Sequence, residues 1–151
     1  MLFEAKATLT RELLPDLPRV RVVRDHIMQV VTNLVSNAAQ ALGEEGGTIE
    51  VRTFSDGAGR VGLAVSDSGE GIREADRGRV FEPFFTTKPA GRGTGLGLPV
   101  VRNIVLAHGG DITFETRPGG GTTFVVSLPL GTGSIGSAFS MGSNKPEKQA
   151  R

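Results

Sequence analysis

The 151-residue sequence has no cysteine, tryptophan or tyrosine. Without cysteine there can be neither a disulfide framework nor a thiolate metal site, and the absence fits a reducing compartment. An excess of one charge is missing too. Seventeen Lys and Arg against sixteen Asp and Glu leave a net charge of +1, which gives no broad basic surface for nucleic acid or a membrane. No run approaches the ~18–20 apolar residues needed to cross a bilayer, and no signal-peptide pattern follows Met1. The chain itself is expected to be soluble and cytoplasmic, whether or not a longer parent is membrane-anchored. What is present, 38% hydrophobic and 22% charged residues, is ordinary for one globular domain able to bury a core. Glycine is the unusual component: there are 22, and they cluster.

Phe3 to Leu13 alternates apolar and polar residues and predicts a strand, broken by Pro15 and Pro18; Arg19–Val23 predicts a short second strand. Asp25 suits a helix N-cap and Gly43 the position just past a helix end. Between them Ile27, Val31, Leu34, Ala38 and Leu42 recur at helical spacing, with Gln29, Asn33, Asn37 and Gln40 on the opposite side. Thr48–Ser55 and Arg60–Ser66, joined through Asp56–Gly59, predict a hairpin. Residues 67–97 read as a Gly-rich loop with a short helix near Glu74–Val80, a length typical of a lid or binding loop. Pro99 suits the first turn of a helix continuing to Ala107, and Asp111–Thr116 with Thr122–Leu128 predict a second hairpin. From Gly131 the composition turns to Gly, Ser and Ala, then to Lys145–Arg151, as in a linker or disordered tail. The organisation is thus one domain over 1–130 and a tail over 131–151, with helices on one face of a mixed, largely antiparallel sheet.

Four motifs carry chemistry. Asn33 and Asn37, four residues apart on the predicted helix, put two carboxamides on one face; such oxygens suit Mg²⁺ shared with phosphates, although two solvent-facing amides would have the same spacing. Asp67-Ser-Gly69-Glu-Gly71-Ile72 ends a strand; its glycines allow close approach of a flat ligand, and the Asp67 carboxylate can accept from an exocyclic amine. A plain turn remains open there, whereas an EF-hand loop fails because Ile72 stands where Gly is needed. Gly91-Arg-Gly93-Thr-Gly95-Leu-Gly97-Leu98 leads straight into a helix, which presents backbone N–H groups suited to phosphate. It is not a Walker loop, since no Gly-Lys pair exists, and the Gly57, Gly59, Gly62 spacing of a Rossmann loop lies in a hairpin rather than before a helix. Phe81-Glu-Pro-Phe84-Phe85-Thr-Thr-Lys88 holds three of the eight Phe; they can pin a loop to the core, while Lys88 could reach a terminal phosphate or simply be a surface lysine.

In this order the four motifs resemble the catalytic domain of sensor histidine kinases, part of a superfamily with gyrase, the MutL proteins and the ATP-driven chaperone. The resemblance covers roughly residues 3–130, includes the closing Gly121-Thr-Thr-Phe124 and Leu128-Pro129, and looks most like the nitrogen-regulation branch. It implies the Bergerat fold: an α+β two-layer sandwich, with about five strands in a mixed, largely antiparallel sheet and about three helices on one face. It implies ATP and Mg²⁺ as cofactors, with Asn37 holding the metal and Asn33 contacting phosphates or the metal's water shell. Asp67 would read the adenine amine, helped by Gly71 and Thr122. Gly93, Gly95, Gly97 and Leu98 would offer backbone to the phosphates, with residues from about 73 to 97 forming a mobile lid. Gly69, Ile72, Phe84, Thr87, Thr94 and Leu96 complete the nucleotide-binding set, and Asn33 and Lys88 are the catalytic candidates.

The implied activity is transfer of the γ-phosphoryl group of ATP to a histidine on a separate dimerisation domain, with a response regulator as indirect partner. Neither nucleic acid nor a membrane is an expected partner of this chain, which should be monomeric. His26 and His108 read as a surface helix-start residue and a helix-end residue near the favourable dipole end, neither in an acceptor motif. The chain therefore reads as a fragment lacking its acceptor. The alternatives are an anti-sigma-type serine kinase and a nucleotide-binding module without transfer. Asn33 speaks against the former, because the family's hydrolases and serine kinases carry a Glu base at the matching position.

Overall fold

The computed structural model describes residues 6–86 and 97–131. Elements follow in the order β1 (Ala7–Glu12), α1 (Arg24–Leu42), β2 (Gly47–Ser55), β3 (Arg60–Asp67), α2 (Gly97–Ala107), β4 (Asp111–Arg117) and β5 (Gly121–Pro129). A 3-10 turn at Gly43–Glu45 extends α1, and a longer 3-10 helix spans Glu74–Arg79. The strands form one sheet in the order β1-β2-β3-β5-β4, with β1 parallel to β2 and every other neighbour antiparallel. No helix among the described residues is long and apolar enough to cross a membrane.

Alternation along the strands decides the layering. Ile49 and Val51 on β2, Val65 on β3, and Phe124 and Val126 on β5 point to one face. There they meet Val30, Leu34, Ala38 and Leu42 of α1 and Val101, Ile104 and Val105 of α2 in a single core. Two α-helices and the 3-10 helix on one side of five strands make the two-layer sandwich that the sequence implied. The β2–β3 hairpin closes because Asp56 Oδ1 accepts N–H bonds from Ala58 (2.7 Å) and Arg60 (3.2 Å), while Gly57 and Gly59 take positive φ. Two residues beyond, Gly62 lies opposite Phe54, whose ring occupies the space a Cβ would need.

Local differences from the sequence reading each have a physical reason. The first strand begins at Ala7 and ends at Glu12; residues 3–5 of the expected Phe3–Leu13 strand lie outside the described residues. Arg19–Val23 forms no strand. Its last N–H, that of Val23, goes to His108 Nε2 (3.0 Å) rather than to a neighbouring strand. That bond also sets the helix start: the N-cap is Val23 in extended conformation, without a side-chain cap, and Asp25 sits inside the first turn, where its charge suits the dipole. Gly43 does end α1, with φ of 64°. The buried stripe runs through Val30 rather than Val31. His108 directly follows the last residue of α2, as expected of a helix-end residue, and is buried. Its Nε2 accepts from Val23, so Nδ1 carries the ring proton and donates to Ile104 O (2.9 Å). His26 lies half-buried with its ring edge-on to that of His108, centroids 6.3 Å apart.

Candidate functional site

The apolar stripe of α1 turns its polar flank toward α2. Asn33, Ser36, Asn37 and Gln40 lie on that flank and line an open cavity of about 610 Å³. Asn33 Nδ2 donates to the carbonyl of Gly97, the first residue of α2, at 3.4 Å. Gly97, Leu98 and Pro99 form the wall opposite, so the first turn of α2 faces the two carboxamides across the cavity.

The far end of the cavity is built by the loop after β3. Asp67 closes β3 opposite Thr122 of β5, and both reach the cavity. Asp67 Oδ1 takes the Gly69 N–H (2.8 Å), turning the chain, and the Ser68 hydroxyl takes the Thr48 N–H (2.9 Å). Close packing explains two glycines. A Cβ on Gly69 would meet Ala41 O at 2.5 Å, and Gly71, with φ of 80°, has Arg117 O where its Cβ would stand. Ile72 N–H donates to Thr116 Oγ1 (2.8 Å), whose hydroxyl is itself 2.8 Å from that of Thr122. The loop is therefore held to the β4–β5 hairpin, and the Asp67 carboxylate is presented at a fixed depth.

The Phe box divides by role. Phe81 packs edge-on against Phe114 (6.1 Å) and Phe124 (6.4 Å), pinning the segment to the core, with Arg102 of α2 over its ring at 5.9 Å. Phe85 lines the cavity, and Arg79 stacks on it at 4.4 Å. Phe84 points away: it has φ of 67°, is 73% exposed and does not reach the cavity wall.

The cavity thus gathers Asn33, Asn37, Asp67, Gly71, Ile72 and Thr122 from the sequence-derived set, with Gly97 and Leu98 on the α2 side. Gly69 supports the loop from behind. Thr87, Lys88, Gly93, Thr94, Gly95 and Leu96 lie outside the described residues. Residues the sequence reading had not assigned also line it: Gln40, one turn past Asn37, and Glu70, Arg73 and Asp76 from the segment after β3. Helical spacing from Asn37 marks Gln40, whereas the ion pair of Arg73 and Asp76 looks in sequence like any solvated i, i+3 pair.

The sequence profile of the family described as histidine kinase-, DNA gyrase B-, and HSP90-like ATPase matches residues 22–132. The chain belongs to this ATPase family. Within it, the sensor histidine kinase ZraS of Klebsiella oxytoca is 44% identical over 124 residues, covering 82% of this chain and 26% of that protein. The alginate biosynthesis sensor protein KinB of Pseudomonas aeruginosa is 39% identical over 125 residues, 83% of this chain and 21% of that protein. The chain thus spans about a quarter or less of the length of these relatives. The nucleotide-free catalytic domain of histidine kinase ThkA superposes with a TM-score of 0.72 at 38% identity, covering 83% of this chain and 80% of that one. The architecture of this ATPase-family member is accordingly that of a histidine kinase catalytic domain.

A cation at this site would find carboxamides rather than a cage, since no group of three or more His, Cys, Asp or Glu that could hold a metal occurs among the described residues. Neutral carboxamide oxygens fit a Mg²⁺ that keeps waters and takes its negative ligands from phosphates.

Proposed function

We propose that this chain binds Mg-ATP in the cavity between α1 and α2 and supplies the γ-phosphoryl group to a histidine on a separate dimerisation domain of the same kinase, in the cytoplasm, upstream of a response regulator. The observation that carries the reading is the gathering of Asn33 and Asn37 with Asp67 and Thr122 around one cavity whose opposite wall is the first turn of α2. Asp67 accepts a hydrogen bond from the adenine amine, with the Thr122 hydroxyl beside it and Ile72 against the ring. The triphosphate then extends along the polar flank of α1 toward Gly97, where the N-terminus of α2 offers N–H groups and a favourable dipole. Asn37 would hold Mg²⁺ and Asn33 would hold its water shell or a phosphate oxygen; bound there, the metal neutralises charge between the phosphates. Lys88, with the backbone of Gly93 and Gly95, is assigned to the terminal phosphates on the resemblance of its motif alone.

Phosphoryl transfer asks for positioning and charge neutralisation more than for covalent chemistry. A neutral imidazole brings its own lone pair, so an acceptor histidine needs no base at Asn33. Thermal melting with and without Mg²⁺ and a non-hydrolysable ATP analogue tests the binding step. At ~100 times its dissociation constant the ligand stabilises by ~2.7 kcal/mol, a rise on the order of 5–10 °C for a domain this size. The same ligand should leave Asp67→Ala almost unshifted. An equal shift in both proteins would remove Asp67 from the adenine contact, and no shift in either would remove nucleotide binding.

A further inference from the structure

Arg73 is the only basic residue among the described residues that line the cavity, where Asp67, Glu70 and Asp76 supply three carboxylates. Among the described residues, the cavity's cation stands directly after Ile72, at the Asp67 end. The backbone that carries it is fixed on both sides: Ile72 N–H is held by Thr116 Oγ1 (2.8 Å), and Ile72 C=O accepts from Arg77 Nε (3.2 Å).

The side chain is held as well. Arg73 Nε donates to Asp76 Oδ2 at 3.2 Å, and Asp76 N–H returns to Arg73 O at 2.9 Å. Asp76 is buried, 8% exposed, whereas the Arg73 side chain is 78% exposed. So open a pair contributes little to stability. Its geometric effect is larger. With Nε tied to a buried carboxylate that lines the same cavity, the guanidinium is held beside that cavity, and its two terminal nitrogens make no hydrogen bond among the described residues. A guanidinium plane in that position matches the π-face of a base. The Asp76 carboxylate beside it would repel a phosphate.

We propose that Arg73 lays its guanidinium on the purine ring of the bound nucleotide, with Asp76 as the positioning residue that orients it. This makes Arg73 a determinant of affinity for the nucleoside half of the ligand, independent of phosphate number, and it rests on the nucleotide-binding reading above. Asp67 would read the edge of the base while Arg73 covers its face. Asp76→Asn weakens the tether and should give part of the Arg73→Ala effect.

The test is the dissociation constants of adenosine, ADP and a non-hydrolysable ATP analogue for the unaltered chain, Arg73→Ala and Arg73→Lys, by titration calorimetry with competition for the weak ligands. Stacking predicts that Arg73→Ala weakens all three by a similar factor, about 3- to 30-fold. Arg73→Lys should recover only part of this, because an ammonium keeps the charge but not the plane. A loss for ADP and the ATP analogue with adenosine unchanged would overturn the proposal in favour of a phosphate contact. Equal constants for the unaltered chain and Arg73→Ala would overturn it outright and leave the nucleotide reading intact. Failure of the unaltered chain to bind any of the three would overturn the nucleotide reading and this proposal together.

Discussion

At the scale of single residues, the proposed chemistry turns on Asn33. Its carboxamide donates to Gly97 O, which bridges α1 and the first turn of α2, and it offers no base to activate water. Asn33→Glu places a carboxylate where a water could be deprotonated, and ATP hydrolysis should rise by about 10-fold or more, part of the roughly 10²–10⁴-fold a positioned base contributes. A steady-state hydrolysis assay checks it, beside a melting curve showing that losing the Gly97 contact has not unfolded the variant. An unchanged rate in a folded variant would show that Asn33 does not face the attacking position.

Two glycines separate structural from ligand-driven need in the same way. Gly71→Ala forces a Cβ toward Arg117 O at positive φ, and should cost about 2–4 kcal/mol in a urea melt. Gly97→Ala meets nothing among the described residues closer than Asn33 Cγ at 3.9 Å. Its stability should hold or rise by up to about 1 kcal/mol, while its affinity for an ATP analogue falls because the new methyl stands where phosphate would approach. Stability lost at Gly97 without loss of affinity would reverse the assignment.

At the scale of elements, α2 joins the two halves of the design: its first turn walls the cavity, and its end holds the entrance to α1. His108 accepts the Val23 N–H and donates to Ile104 O, and it packs edge-on to His26. His108→Leu keeps the volume but leaves the Val23 N–H without its acceptor, so it should cost about 1–3 kcal/mol of unfolding free energy. His108→Gln, which restores a carbonyl acceptor, should cost less; equal losses would mean that packing rather than the hydrogen bond matters.

This contact also explains what could be read in advance. The hairpins and α1 were legible because their signals are local: Asp56 with Gly57 and Gly59 at one turn, and apolar residues three and four apart along the helix. Arg19–Val23 was misread because its decisive partner lies 85 residues away. The cavity's core was legible because Asn33, Asn37, Asp67 and Gly97 carry motif signals. Arg73 and Phe85 carried none that separated them from their neighbours, and only the packing shows that Phe85 rather than Phe84 turns inward.

At the scale of the whole molecule, the two histidines of the chain lie away from the proposed donor site. His108 is buried just past the end of α2, with Nε2 engaged by the Val23 N–H and Nδ1 by Ile104 O, so neither ring nitrogen is open to a phosphorus atom. His26 packs against that same ring at the start of α1, two turns before Asn33 and at the opposite end of α2 from Gly97. The proposed transfer is accordingly to a histidine on another domain, and the relatives, of which this chain spans about a quarter or less, are long enough to carry one. Incubated alone with Mg²⁺ and γ-labelled ATP, the chain should gain no acid-labile, base-stable label. Mixed with the histidine-bearing dimerisation domain of its own kinase, it should label that partner, and Asn37→Ala or Asp67→Ala should abolish the transfer. Label on the isolated chain that disappears in His26→Gln would place an acceptor within the domain and require α1 to unpack from His108. Label retained in that variant would point instead to an acceptor other than His26.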